Sequence, residues 1–540
     1  MRVPMDLPPT VLAPTEVPSE HALRRASWGF AVYAMALCGL AVASGPLSWV
    51  HRELGAVRSW QLLLHPLLVL WLWRSGAFPV LERVSLGRRL KVALALCSLG
   101  WCLLLQLWRY HAFSVNGVDF SIFDWMLYST NHGRFMYSPI YDVNHFGVHP
   151  SYVMLPLVPL HRLFESPLLL VGITALGVWG AVLPLWKLAT RAGRGEALAL
   201  LLCVAYLTSP WSNRLLDGGF RPEVLYPLCG LMLAWGWVEH RAALWAPALV
   251  AFLAIKEDAA LHASALALGA LLFERSRRRE ALGVLGVCVA LFILNTTVVQ
   301  PWALAQTGKV RPGYLDFWGQ HGSSLGAIAL HMLSSPWTVV SDIFRSGWYR
   351  LFLPALFLPL LSRQPLVAML PSLFLLGSAS NPTMHEYRLY YPVTLLPFFL
   401  WGLLEARERL GQWGWSEGRR TALFAVAALS FPLWGDGYAR LWPLALETRA
   451  VVRATAVELG TPTGPVCAQT VLFPHLPYAL APRPLFDLAC ARTPGAVVLV
   501  HPELDPWPHS KEALTALVAE ATARGEAEPR GEGLVLLRPR

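Results

Sequence analysis

The chain has 540 residues, of which 55% are hydrophobic and only 14% charged, with 24 Trp; this balance excludes a soluble multidomain protein and points to a polytopic membrane protein. Its formal charge of +10 does not indicate a nucleic-acid partner. The positive residues concentrate in short loops between apolar runs, as in the Arg-rich stretch 274–279, where they anchor cytoplasmic ends in the bilayer.

Residues 1–27, rich in Pro and acidic side chains, are expected to form a cytoplasmic tail. No small-residue cleavage site follows the first apolar run, so that run is expected to stay as an anchor. Residues 28–50, preceded by Arg24 and Arg25, then lead outward. Residues 60–80 return to Arg83, Arg88, Arg89 and Lys91, and 92–108 lead out again. The segment 109–150 is polar, aromatic and long enough to form an external loop.

The alternation continues at every basic cluster. Residues 166–186 come in to Lys187, Arg191 and Arg194, 197–211 go out, and 224–237 come in to His240 and Arg241. Residues 244–255 lead out to Lys256, Glu257 and Asp258, 259–273 return to the Arg-rich stretch, and 281–302 go out. The stretch 303–345 is expected outside, with 327–340 as an interfacial or re-entrant helix. Residues 348–361 come in to Arg363, 365–376 go out, 391–404 return to Arg407 and Arg409, and 422–434 exit.

This makes about thirteen transmembrane helices, several so short that they cross only where the bilayer is thin or helices pair tightly. An odd count places residues 437–540 outside. That tail differs in kind: its apolar runs 496–500 and 534–537 are strand-length, and 511–523 reads as a helix, which predicts a small α/β domain. The expected organisation is therefore a 1–27 cytoplasmic tail, 28–108 N-terminal transmembrane helices, a 109–150 external loop, a 151–436 transmembrane core and a 437–540 external domain.

The topology puts Asp119, Asp124, His149, Asp217, Glu223, Lys256, Glu257, Asp258 and His385 on one side, away from the cytoplasm. Ionisable groups at membrane depth are costly enough to be functional candidates. Asp119 and Asp124 are five residues apart, roughly 140° around a helix, so they do not share a face. Asp119, which follows Asn116 and Gly117, also reads as an N-cap for a helix over 120–130. His145 and His149 are spaced four apart, but Gly147 and Pro150 argue against a helix there. Their imidazoles suit a phosphate or a sugar hydroxyl, or else interfacial packing among Tyr137, Tyr141 and Tyr152.

Lys256, Glu257 and Asp258 read either as a functional group or as a self-neutralised network in which Lys256 pairs with an acid from another span. Asp217 and Glu223 flank the flexible Gly218–Gly219 turn. His385, Glu386 and Arg388 sit just before an inward span, where an Arg could hold a lipid-linked phosphate bidentately; the neighbouring Tyr residues read alternatively as interfacial anchors. Six Cys, at 38, 97, 102, 203, 229 and 288, fall in apolar spans as small hydrophobes. Cys467 and Cys490 fall in the tail, where an oxidising compartment would let them pair if their Cβ atoms approach.

Taken in order, the stretches 119–124 (Asp-Phe-Ser-Ile-Phe-Asp), 144–149 (Asn-His-Phe-Gly-Val-His), 220–223 (Phe-Arg-Pro-Glu), 256–258 (Lys-Glu-Asp) and 469–476 (Gln-Thr-Val-Leu-Phe-Pro-His-Leu) resemble the motifs of a bacterial membrane-protein family known as domain of unknown function 2079. The resemblance spans roughly residues 107–501. That family is distantly similar to the GT-C glycosyltransferases, polytopic enzymes that take a sugar from a polyprenyl-phosphate carrier and use acidic residues of the first large external loop.

The resemblance implies an all-α, GT-C-like membrane fold in the bacterial cytoplasmic membrane, with the N-terminus cytoplasmic and the C-terminus external. It implies a polyprenyl-phosphate-linked sugar as donor and a glycan, lipid or protein acceptor of the cell envelope. Asp119, Asp124 and His149 would be catalytic. Arg221, Glu223, Lys256, Glu257, Asp258, His385 and Arg388 would contact substrate or phosphate. A divalent Mg or Mn ion is compatible with the reaction, Asp119 and Asp124 being the ligands if one binds.

Two positions depart from the pattern: Trp125 stands where the family has Gln, and Arg221 where it has His. An Arg keeps the cation but not the titratable base, which suits anion binding. The first two spans look like an addition. The leading expectation is an inverting transfer in which Asp119 or Asp124 takes a proton from the acceptor hydroxyl. The alternatives are a transporter or flippase, a class that often shows repeated halves not seen in this sequence, and a non-catalytic envelope-assembly protein.

Overall fold

In the computed structural model the apolar runs fold mainly into helices whose lipid-facing sides stay bare. The described residues are 85–191, 195–308, 315–352, 355–385, 389–434, 444–460 and 464–539. The expected spans 28–50 and 60–80 lie outside them. Three stretches, Arg88–His111, Leu168–Thr190 and Arg275–Ala305, are long and apolar enough to cross a membrane. The first has 24 residues, about 36 Å at 1.5 Å per residue, against roughly 30 Å of hydrocarbon. Only 17% of its apolar window is buried within the protein; Leu96, Trp101 and Leu104 are exposed. So much bare apolar surface is stable against lipid and not against water.

The remaining apolar helices are shorter and pair closely. Ala259–Phe273 packs along Gln364–Gly377, and small residues let the two approach: a Cβ on Gly269 would lie 3.0 Å from the Gln364 side chain. Between them the buried His262 bonds the Ala368 carbonyl at 2.9 Å and the Ser372 hydroxyl at 2.8 Å. Helices Tyr226–Val238 and Ala242–Leu253 form a second tight pair.

One expected span takes a different form. Residues 348–361 do not make a helix but two 3-10 turns, Trp348–Phe352 and Leu358–Leu361. Leu356 and Phe357 hold positive φ between them, at 53° and 56°, a conformation no α-helix contains. The segment nevertheless runs alongside the Leu396–Gln412 helix. Phe352 meets Phe399, Pro359 meets Gly402, and the Leu361 carbonyl accepts from Arg409 at 2.6 Å. Trp348, Leu351, Phe352, Ala355 and Leu358 are buried, while Leu356, Phe357 and Leu360 are exposed. The piece expected as one interfacial helix over 327–340 is two ten-residue helices, Leu325–Ser334 and Pro336–Arg345, broken at Ser335.

The tail contains a five-stranded sheet in the order β4-β3-β5-β7-β6, with β3 Val466–Ala468, β4 Arg483–Pro484, β5 Val497–Val500, β6 Ala527–Gly531 and β7 Leu534–Leu537. Strand β3 runs parallel to β4 and β5, while β7 is antiparallel to β5 and β6. Alternation along β5 divides its side chains between two layers. Val498 and Val500 pack with Leu514, Leu517 and Ala521 of the Lys511–Ala523 helix, whereas Val497 and Leu499 belong to the core shared with the membrane helices. Cys467 and Cys490 are joined in a disulfide with their Cα atoms 6.5 Å apart. A short two-stranded ribbon, β1 Tyr137–Ser138 and β2 Val143–Asn144, sits in the loop after the first helices.

Candidate functional site

The loop after the Arg88–His111 helix opens into the helix Gly117–Asn131, and its start is fixed by Asn116. The Asn116 carboxamide oxygen accepts from the Val118 and Asp119 amides, each at 3.1 Å. Asn116 is therefore the N-cap, and the capping role considered for Asp119 is corrected. Asp119 lies in the first turn, where the helix dipole favours a carboxylate, and its side chain remains 32% exposed.

The partner of Asp119 comes from far along the chain. Arg221 brings Nη2 to 2.5 Å and Nε to 3.0 Å from Asp119 Oδ2, and Asn116 Nδ2 donates to the same oxygen at 3.1 Å. Among the described residues all three of these bonds fall on Oδ2. The Arg221 guanidinium stacks over Tyr390 at 3.9 Å. It can fold back this way because of Gly218 and Gly219. A Cβ on Gly218 would lie 2.7 Å from Arg221 Nη1, and Gly219 combines a φ of +73° with Phe120 2.8 Å from where a Cβ would be.

Three further pairs continue the network. Lys256 Nζ reaches Glu223 Oε1 at 3.3 Å, His149 Nδ1 lies 2.9 Å from Glu257 Oε1, and the Tyr226 hydroxyl donates to Asp258 Oδ1. Four acids from three segments thus each have their own partner, the across-span pairing foreseen for Lys256 among them. Burial by itself would raise the Glu223 carboxyl, but the Lys256 ammonium and then His149 outweigh it and hold it below the usual range. Glu257 is likewise held down against burial by His149 and Lys256. Burial pushes the neighbouring His145 imidazole down to about 3, helped by His149, so it is neutral.

His145 and His149 are placed by a bonded turn. Asn144 accepts from the Phe146 amide at 3.1 Å and donates to Gln306 at 2.8 Å and the Phe135 carbonyl at 3.1 Å; Gln300 holds the Val148 carbonyl at 3.1 Å. The turn is a three-residue 3-10 segment, His145–Gly147, and not an α-helix. His145 stands edge-on to Phe123 at 4.9 Å.

Asp124 is brought elsewhere. It is 2% exposed and accepts from the Tyr478 hydroxyl at 2.9 Å, with His161 Nε2 3.6 Å from its other oxygen. Tyr478 in turn stacks on Tyr128 at 4.2 Å, so Asp124 ties the loop helix to the tail. The two aspartates engage different partners, Asp119 the Arg221 guanidinium and Asp124 the Tyr478 hydroxyl. Among the described residues no cluster of three or more His, Cys, Asp and Glu is arranged to hold an ion. Asp217 pairs with Arg109 and Arg214 at 3.4 and 3.0 Å, and His385 bonds the Ala379 carbonyl of its own loop at 2.7 Å; neither is bonded into the network. Glu386 and Arg388 lie outside the described residues.

Tyr226 and Tyr478 were not expected at the site, and Tyr390 was read only as an interfacial anchor. Tyr226 was open to discovery three residues after Glu223, one helical turn; the other two have no local signal. Apart from this network, an open cavity of about 530 Å³ is lined by Arg191, His240, Arg275 and Arg363 together with Glu274, Glu405 and Glu408.

A family model described as predicted membrane protein, domain of unknown function 2079, matches residues 109–477, the region that holds every pair of this network. The chain belongs to this family. The match ends at the docking segment of the tail, short of the 501 expected from motif resemblance. Within the family's span the motif position occupied by Arg221 is the one that reaches Asp119. No curated protein matches the chain. Among solved structures, the single-particle cryo-EM structure of arabinofuranosyltransferase AftD from Mycobacteria is similar at 15% identity with a TM-score of 0.44. The alignment covers 85% of this chain and 40% of that one, so the chain spans well under half of that protein's length.

Proposed function

We propose that this membrane protein is a glycosyltransferase that moves a sugar from a polyprenyl-phosphate carrier to an envelope acceptor at the outer face of a bacterial cytoplasmic membrane. The observation that carries the reading is the partly exposed Asp119, held on one oxygen by a buried Arg221 in the network that includes Lys256 and His149. A carboxylate next to fixed cations is what an acceptor hydroxyl and a leaving phosphate need together. The carrier's phosphate would compete with Asp119 for the Arg221 fork, which binds phosphate and carboxylate with the same geometry. Asp119, so released, takes the acceptor proton as its oxygen attacks the anomeric carbon. The carbon–phosphate-oxygen bond breaks with inversion, and the phosphate leaves with the electron pair onto Arg221, Lys256 and His149. The motif resemblance supports the substrate class, and Arg388 is kept as a further phosphate contact on sequence grounds alone.

The topology belongs to the same reading: thirteen crossings, one of them in 3-10 turns, with residues 1–27 cytoplasmic and 437–540 outside. A second reading is favoured by the pairing of all four acids, which suits a structural network in a non-catalytic protein or a transporter. Asp119→Asn separates them. Measured as sugar transfer from a lipid-linked donor in membranes, with protein level and melting temperature checked, transfer should fall by roughly 10²–10⁴-fold while the fold persists. Undiminished transfer in a folded Asp119→Asn protein sinks the catalytic assignment. Arg221→Lys keeps the charge but not the fork and should raise the donor's KM more than it lowers kcat.

A further inference from the structure

Apart from the acid-bearing network, a cluster of basic groups without acids forms where the tail meets the end of the Arg88–His111 helix. Tyr110 is its hub. His111 stands edge-on to the Tyr110 ring at 5.4 Å, His475 lies 4.5 Å away, and the Arg449 guanidinium sits over the ring at 5.4 Å. Arg449 Nη1 is 3.0 Å from His111 Nδ1, and Arg453 follows one turn later on the Leu446–Leu459 helix, on the same face. Among the described residues neither arginine has a carboxylate partner.

The cluster repels itself. His475 is 5% exposed, and both its ring nitrogens are buried without a hydrogen-bond partner, as is Arg449 Nε. Burial and then Arg449, His111 and Arg453 drive its imidazole well below the ordinary range. Buried polar groups normally find partners, and exceptions call for a reason. Asp124 is engaged by Tyr478, and Asp217 by Arg109 and Arg214.

Position supplies the identity of the missing partner. The Ala445 amide donates to the His111 carbonyl at 3.3 Å, so the Leu446–Leu459 helix starts level with the end of a membrane-capable helix. Leu446, Ala450, Ala454 and Val457 lie exposed along it at helical spacing. An exposed apolar stripe beside Arg449 and Arg453 is the pattern of a helix lying in the bilayer interface, with basic side chains at headgroup level.

We propose that this junction binds the phosphate of an anionic membrane phospholipid, with Arg449, Arg453 and His111 as its direct contacts and the tail thereby held to the membrane surface. It is a site distinct from the Asp119 network and does not depend on the proposed transfer. The test uses the full chain purified in detergent, with retained lipid counted by native mass spectrometry. Phosphatidylglycerol should be retained over phosphatidylcholine of the same chains. The Arg449→Gln, Arg453→Gln double variant should lose about twenty-five-fold of that preference, at about a factor of five per arginine. Arg449→Lys with Arg453→Lys should keep most of it, which separates lost charge from lost folding, and Arg524→Gln on the far side of the tail should change nothing. Equal retention of the two lipids, or a double variant that behaves as the parent, overturns the site. Inorganic phosphate that displaces phosphatidylglycerol at equal concentration would show a free-anion site and overturn the lipid assignment.

Discussion

Asp119 and Asp124 illustrate how far single residues can be read. Their five-residue spacing excluded a shared face, and the structure sends one to Arg221 and the other to Tyr478. Which of them stays open to solvent followed from partners more than 100 and 350 positions away, and no local pattern carries that. His145 offers a prediction at this scale. Its folded pKa of about 3 is depressed from an unfolded value near 6.5. The stability tied to its neutral form is therefore complete above pH 6.5 and lost as pH falls through the window toward 3, by about 1.4 kcal/mol per unit. Melting temperature recorded from pH 7 to 5 should fall more steeply for the parent than for His145→Phe; parallel slopes would refute the assignment.

Among the elements, the helical form of most apolar runs was legible because apolar length acts locally. The form of the 348–361 crossing was not. Its composition is apolar enough for a helix, but Leu356 and Phe357 turn left-handed where the segment packs along Leu396–Gln412, which no local pattern carries. Docking of the tail likewise depends on one close approach. A Cβ on Gly117 would lie 2.2 Å from the Thr470 carbonyl oxygen, so Gly117→Ala should cost about 1–3 kcal/mol and release the Thr470–His475 turn. Hydrogen exchange at residues 470–475 should rise in that variant. Gly100→Ala, with nothing within 4 Å of its Cβ, should leave exchange there unchanged.

For the whole molecule, the acid-bearing loops converge on one network while Arg191, His240, Arg275 and Arg363 line a cavity elsewhere. The tail is packed into the same core as the membrane helices on one face of its sheet and carries a disulfide on the other. A topology reporter fused after Arg440 should report an external location, and the Cys467–Cys490 bond should be open to a membrane-impermeant reductant in intact cells. A cytoplasmic reporter signal would overturn the thirteen-crossing topology.

The sequence by itself determined that the chain lives in a membrane, where its apolar runs begin and end, and that its motifs are those of the family it belongs to. These follow from composition and short-range periodicity, which burial in lipid enforces residue by residue. Tertiary structure alone decided that Arg221 holds Asp119, that Tyr390 backs it, that Asp124 belongs to the tail, and that His475 is buried among cations. Such pairings depend on which segments are brought together in space, and a buried charge takes whatever partner the packing presents.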